Sequence, residues 1–274
     1  MTDRPSSDLD TIADAFTRTA ARYDAFADDH PHLTSMRRQV YRAFERAVPA
    51  GARVLELNAG TGTDAVHLAR QGYRVHATDI APGMLARLRD KVDAFGLQEV
   101  LTVEQRSFLD LDQVGGAPYD AVLSDLGGLN CTADLAAVAR GIHGVLEPGG
   151  VAVLVVMPRI CLWELGLVLT GQFRLATRRL ARQGTEAQLE GRHFTVHYHA
   201  PRDVVAAFGA DYDVVGLEGL AVFTPTAESK NMAKRHPRLY GALAAVDRRL
   251  APCRPFSGWG DFFILTLRGR SGSS

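Results

Sequence analysis

Cysteine is scarce in this 274-residue chain: Cys131, Cys161 and Cys253 stand alone and far apart. They form neither a zinc spacing nor a disulfide framework, and this usage points to a reducing cytoplasm. Net charge is absent too, since 31 Lys and Arg offset 31 Asp and Glu. The chain as a whole therefore lacks a strong field to steer nucleic acid. Long apolar runs are missing as well. The longest, "VAVLVVM" at 151–157, is far too short to cross a bilayer. The opening "MTDRPSSDLD" is polar and acidic, which excludes a signal peptide. The closing "GRSGSS" reads as a frayed tail, with 271–274 disordered. No internal repeat is present.

What remains is an ordinary globular composition, 46% hydrophobic and 23% charged, at a length that suits one large domain with insertions. Residues 53–57, 73–78, 99–104, 119–124 and 150–157 are short runs rich in Val, Leu, Ile and Tyr, the pattern of buried strands. Helical stretches at 63–71, 82–95 and 132–147 separate most of them. In 82–95, Met84, Leu85, Leu88, Val92 and Phe95 recur at helical spacing behind Pro82 in the first turn. Pro148 and the glycines of "LEPGG" stop the third helix. Such alternation predicts an α/β, doubly wound parallel sheet with helices on both faces.

The stretch "VLELNAGTG", 54–62, runs from an apolar strand into a glycine turn and then a helix, "TDAVHLARQG". Amides at a helix start have no partner within the helix, and small residues let a ligand approach them. Asp79 ends the next strand, where a carboxylate can accept both hydroxyl hydrogens of a ribose. A glycine turn plus this Asp fits NAD, FAD or an adenosyl ligand. No G-K-[ST] follows, as a triphosphate would need. The glycines fall as N-x-G-x-G rather than G-x-G-x-x-G, so the ligand expected is one without a pyrophosphate.

Taken together, "VLELNAGTG", "ATDIAPGMLARL", "SFLDL", "YDAVLSDLGGLN" and "VLEPGGVAVLVV" resemble class I S-adenosylmethionine-dependent methyltransferases. The likeness spans roughly residues 53–157. It implies a Rossmann-like seven-stranded sheet with an antiparallel last strand, "LAVFTP" and "WGDFFILTLR" supplying the final pair. It implies S-adenosylmethionine as cofactor and S-adenosylhomocysteine as product. By matching position, Glu56, Asn58, Gly60 and Thr61 would surround the methionine part. Asp79 would hold the ribose, and Ile80 and Met84 would pack near the adenine, bracketed by Ser107, Phe108 and Leu109. Ser124, Asp125 and Leu126 would lie under the sulfonium. Asn58 departs from the usual glycine, and Ser107 stands where an acidic residue is common.

Residues 1–50 read as two amphipathic helices, a lid in similar enzymes, from which Tyr23 would close over the cofactor and Arg38 would reach its carboxylate. Residues 51–157 form the cofactor-binding core. An insertion of helix plus strand follows at 158–200, and 201–270 returns to the core with a basic helical insertion at 224–258. The two insertions carry about +3 and +5 by residue count, which suggests basic caps over an acidic core near the acceptor. In "RHFTVHYHA", His193, His197 and His199 would share one strand face. His193, His199 and Asp125 are candidate general bases, and Asn130 a candidate for orienting an acceptor. No metal is expected, because no carboxylate or cysteine pattern accompanies the histidines.

The expected activity is methyl transfer to nitrogen or oxygen of a small-molecule acceptor, natural-product-like or anionic. Nucleic acid is a weaker expectation, because "SDLG" stands where a [DN]-P-P-[YF] motif would. Two further alternatives are a non-catalytic cofactor-binding protein and a lipid enzyme, the latter using the apolar stretch Leu162–Leu169 and the arginines after it. Peripheral membrane contact is not the expected mode, and the oligomeric state is left open.

Overall fold

A computed structural model of the chain describes residues 6–28, 30–226 and 232–270. The expected tail, 271–274, lies outside the described residues, as do 1–5 of the lid and 227–231 of the basic insertion. In chain order the elements are α1 (Ser6–Asp28), α2 (Pro31–Ala47), β1 (Arg53–Leu57), α3 (Thr63–Arg70), β2 (Arg74–Asp79), α4 (Pro82–Phe95), β3 (Leu101–Gln105), β4 (Tyr119–Ser124), α5 (Leu135–Val145) and β5 (Leu146–Val156). Then come α6 (Leu162–Leu165), α7 (Phe173–Thr177), β6 (Thr185–Leu189), β7 (Arg192–Val196), α8 (Pro201–Phe208), β8 (Tyr212–Leu220), α9 (Met232–Arg235), α10 (Pro237–Leu250) and β9 (Phe262–Gly269). None of the described helices is long and apolar enough to cross a membrane.

Seven strands form one sheet in the order β3-β2-β1-β4-β5-β9-β8. The first five are parallel, and β9 runs antiparallel to both neighbours. The central strands read as continuous apolar runs because both of their faces are covered. One face packs Val54, Leu85, Leu88, Val153 and Phe44. The other packs Leu55, Leu57, Val122, Leu154 and Phe263. Burying each such side chain contributes roughly 1.5–3 kcal/mol. The strand order reverses between β1 and β4, which opens a crevice beyond their C-terminal ends.

The sixth strand of this sheet is not "LAVFTP". It is β8, which shares only Leu220 with that stretch. β8 is an edge strand, with Val214 and Val215 exposed and two glycines inside it, so its sequence lacks an apolar run. After Leu220 the chain leaves the sheet through Ala221, at φ +53°.

The first insertion folds as the short helices α6 and α7, followed by a separate hairpin of β6 and β7. This hairpin packs Phe194 on Ile12 and Ala15 of α1, so the N-terminal helix and the insertion meet. β7 ends at Val196, so His193, His197 and His199 do not share one strand face.

Candidate cofactor and acceptor site

At the end of β1 the chain turns through three left-handed residues, Asn58 (φ +55°), Gly60 (φ +56°) and Gly62 (φ +79°). Asparagine tolerates this region better than most residues. Its Nδ2 donates to Ser124 Oγ at 3.0 Å and so ties the turn to β4. Gly128 makes room for it, because a Cβ there would lie 2.4 Å from the Asn58 side chain. A Cβ on Gly62 would strike Leu88, whereas a Cβ on Gly60 would meet nothing within 4 Å. Gly60 therefore borders open space.

Asp79 closes the turn from the next strand. Its two oxygens accept from the Gly60 and Ala81 amides, each at 2.8 Å. Burial pushes its carboxyl above the ordinary value, opposed by these amides. Thr61 donates to Asp24 at 2.5 Å, and Lys91 reaches the same oxygen at 2.9 Å. Helix α1 is thereby fastened to the loop and to α4.

A cavity of about 250 Å³ opens over this loop. Tyr23, Asn58, Gly60, Thr61, Asp79, Ile80, Met84, Phe108, Asp125 and Leu126 all line it. Glu56 and Ser124 lie behind that lining, fully buried. Ser107 and Leu109 do not reach it. The Ser107 hydroxyl accepts from the Leu109 amide, and Leu109 packs into the core. Arg38 does not reach it either. Arg37 lines the cavity instead, since one residue along a helix turns the side chain by about 100°. Its guanidinium pairs with Asp64 at 3.1 Å, and Tyr41 donates to the same carboxylate at 2.5 Å. In sequence, the one trace of Arg37 is its partner's place in the first turn of α3.

Two carboxyls here each keep one buried oxygen without a partner, Oε2 of Glu56 and Oδ2 of Asp125. The other oxygen of Asp125 accepts from the Leu126 amide at 2.7 Å. Both carboxyls are held well above the ordinary range, first by burial and next by the negative charge of Asp64. The positive charge nearest them, Arg37, is already paired. Such a pocket suits a cationic ligand and disfavours a pyrophosphate.

The other expected groups serve the frame. His193 points away from the side lined by Phe194 and Val196, stays more than half exposed and pairs with Glu186 at 2.7 Å. His199 is buried outside the lining. Its Nε2 meets the Thr132 carbonyl at 3.0 Å, and burial lowers its pKa. Neither histidine faces the cavity. Asn130 is engaged on both ends of its amide: Nδ2 donates to the Met157 and His197 carbonyls, and Oδ1 accepts from the Met157 amide. It clamps the end of β5 to the end of the hairpin.

Among the described residues one trio has metal-ligating side chains close together, Cys161, Glu164 and Asp261. Arg179 already holds both of its carboxylates, with Nη2 at 2.6 Å from Glu164 and 2.7 Å from Asp261.

The strand order, the left-handed loop and the acidic pocket define a doubly wound domain whose cavity suits a cationic nucleoside. Residues 54–150 match a family described as a methyltransferase domain. Residues 54–150 are thus a methyltransferase domain, and the sheet is that of the class I S-adenosylmethionine-dependent methyltransferase fold. The chain's relatives include an arginine N(omega)-methyltransferase of Streptomyces achromogenes subsp. streptozoticus, 31% identical over 157 residues, which are 54% of this chain and 42% of that protein. The chain thus spans about two fifths of the length of this curated relative. A tRNA 5-carboxymethoxyuridine methyltransferase of Escherichia coli is 23% identical over 80% of this chain and 81% of its own. Among solved structures, the 1,6-didemethyltoxoflavin-N1-methyltransferase of Burkholderia thailandensis, bound to its substrate and S-adenosylhomocysteine, superposes with a TM-score of 0.59. It is 16% identical over 98% of this chain and 92% of that one.

Proposed function

We propose that this protein methylates a nitrogen or oxygen of a small, largely apolar acceptor, with S-adenosylmethionine as donor. The observation that carries this reading is the two-part character of the cavity. One part is the nucleoside loop with Asp79. The other is an apolar pouch of Leu9, Ile12, Phe16, Phe194 and Val196, with Asp125 and Cys131 at its inner wall. An anionic acceptor loses its support, because no arginine of either insertion lines the cavity.

In this reading Asp79 holds the ribose, Ile80, Met84 and Phe108 flank the base, and Asp125 faces the cofactor's positive charge with the buried Glu56 carboxyl behind the lining. The bound cofactor supplies an already activated methyl group. The chain's own task is alignment and the exclusion of water, worth up to roughly 7–11 kcal/mol. α1 and the hairpin close over the pouch to do this. Asp125 is the group placed to take the acceptor's proton. Its Oδ1 is fixed by the Leu126 amide, Oδ2 is left to receive the proton, and a raised pKa makes its carboxylate a better base.

Calorimetry with S-adenosylmethionine and S-adenosylhomocysteine, and Asp79→Ala as control, tests the cofactor half. Binding is expected, and its loss in the variant. Transfer of labelled methyl to a panel of apolar amines, phenols and carboxylic acids tests the acceptor half. Transfer only to tRNA in the same assay would replace this reading with the one that the likeness to the tRNA enzyme favours.

A further inference from the structure

A second cleft, of about 220 Å³, lies between α2 and α10 and shares no lining residue with the first. Its floor is buried and includes His32, Met36, Thr224 and Asp247. Arg38, Arg42 and Arg248 rim it, all three exposed. Among the described residues none of the three has an ion-pair or hydrogen-bond partner.

The one carboxylate in the floor, Asp247, offsets only part of the charge of the three guanidiniums. Asp247 accepts from the Val222, Phe223 and Thr224 amides and from the Thr224 hydroxyl, at 2.7–3.1 Å. That carboxylate is fully occupied in holding the turn after β8. His32 adds a second sign of a missing ligand. It is 5% exposed, its Nδ1 meets the Tyr240 hydroxyl at 2.9 Å, and its buried Nε2 has no partner. With Nδ1 accepting from Tyr240, Nε2 is an N–H donor facing no acceptor. Burial lowers the pKa of this ring to about 4, so it is neutral near pH 7. A buried donor without an acceptor costs about 1–3 kcal/mol unless a ligand supplies one.

We propose that this cleft binds a small phosphate-bearing molecule, its oxyanion held by the Arg38, Arg42 and Arg248 guanidiniums and by the His32 ring. Guanidinium forks match tetrahedral oxyanions bidentately. The small volume and buried floor suit a compact phosphate better than a polymer lying across the surface. The site is separate from methyl transfer and does not depend on it.

The test is calorimetric titration of the full chain with inorganic phosphate and pyrophosphate at fixed ionic strength. S-adenosylhomocysteine is present throughout to fill the first cavity. Saturable binding is expected, weakened about tenfold or more in Arg38→Ala and in Arg248→Ala. It should weaken less in Arg38→Lys than in Arg38→Ala, because lysine keeps the charge without the fork, and be unchanged in Arg202→Ala, whose side chain is 85% exposed elsewhere on the surface. Asp79→Ala without S-adenosylhomocysteine should bind phosphate as the parent does, which separates this site from the cofactor pocket. Thermal melts verify that each variant is folded. The proposal is overturned if neither anion saturates, if Arg202→Ala loses as much as the cleft variants, or if a single-stranded oligoribonucleotide binds tighter than pyrophosphate with the same arginine dependence. The last result would give the cleft to nucleic acid.

Discussion

Arginines of two regions behave in opposite ways. In the first insertion Arg178 and Arg179 converge on Glu164, and Arg179 also reaches Asp261, inside the protein. Between α2 and α10, Arg38, Arg42 and Arg248 rim a cleft with no partner among the described residues. Counted by segment, both groups belong to basic stretches. Counted by partner, one is internal framework and the other is a surface waiting for a counter-ion. The same division separates the carboxylates. Glu164, Asp261 and Asp247 are satisfied, whereas Glu56 and Asp125 each keep a buried oxygen free. These unmatched groups lie in or behind the walls of the two cavities.

Removing one partner from the satisfied set should give the largest effect. Arg179→Met takes the guanidinium from buried Asp261 and leaves buried Glu164 with Arg178 alone, and should cost about 3–5 kcal/mol in urea unfolding. Arg174→Met, an exposed arginine of the same insertion, should be nearly silent. A loss below about 1 kcal/mol for Arg179→Met would mean that water compensates the cluster, and the contrast between the two regions would fall.

The unmatched histidine comes next. Burial depresses the His32 pKa from 6.5 to about 4. A depressed pKa stabilises the native state above the unfolded value, and that contribution is lost as pH falls through the folded value. Between pH 7 and pH 4 the parent should lose roughly 3 kcal/mol more stability than His32→Gln, a shift of one unit being about 1.4 kcal/mol. Equal losses from denaturant curves at the two pH values would show that the ring is hydrated.

How much of this was open to a reader of the sequence depends on distance along the chain. The loop from β1 to α3 and the carboxylate of Asp79 fall within 26 residues, counted from Val54 to Asp79, and their pattern is local. Other features join distant segments. Arg179 meets Glu164 across 15 positions and Asp261 across 82, and nothing local announces either pairing. The choice of Arg37 over Arg38 is a matter of helix phase, set by packing of Met36, Val40 and Phe44 against the sheet. Asn130 resembles a residue for orienting an acceptor until its three backbone partners are in place. β8 escaped because an edge strand needs no apolar run.

Glu56 and Asp125 give a smaller, graded effect. Their raised pKa values keep protons on the free protein above the usual carboxylate range. A raised folded pKa contributes stability below the unfolded value and loses it as pH rises through the folded one. A cation in the pocket favours the ionised forms, so cofactor binding should release protons. Affinity should rise with pH, by up to about tenfold per unit for each group still protonated, and then level off. Calorimetry in two buffers of different ionisation enthalpy counts those protons. No proton release at any pH would mean that both carboxyls are already ionised in the free protein.

The smallest effect is a null that the comparison requires. If Arg38, Arg42 and Arg248 have no partners, then Arg38→Ala and Arg248→Ala should leave stability in phosphate-free buffer within about 0.5 kcal/mol of the parent. The sign should be towards gain, because three like charges around one cleft repel, and added sodium chloride should shrink that gain by screening. A clear loss would reveal a partner for these guanidiniums, and the division between matched and unmatched charge would move. Phosphate should then reverse the order of the variants. A ligand that binds only the native state stabilises it by RT ln(1 + [L]/Kd), so the parent should pull ahead as phosphate rises while Arg248→Ala lags behind it.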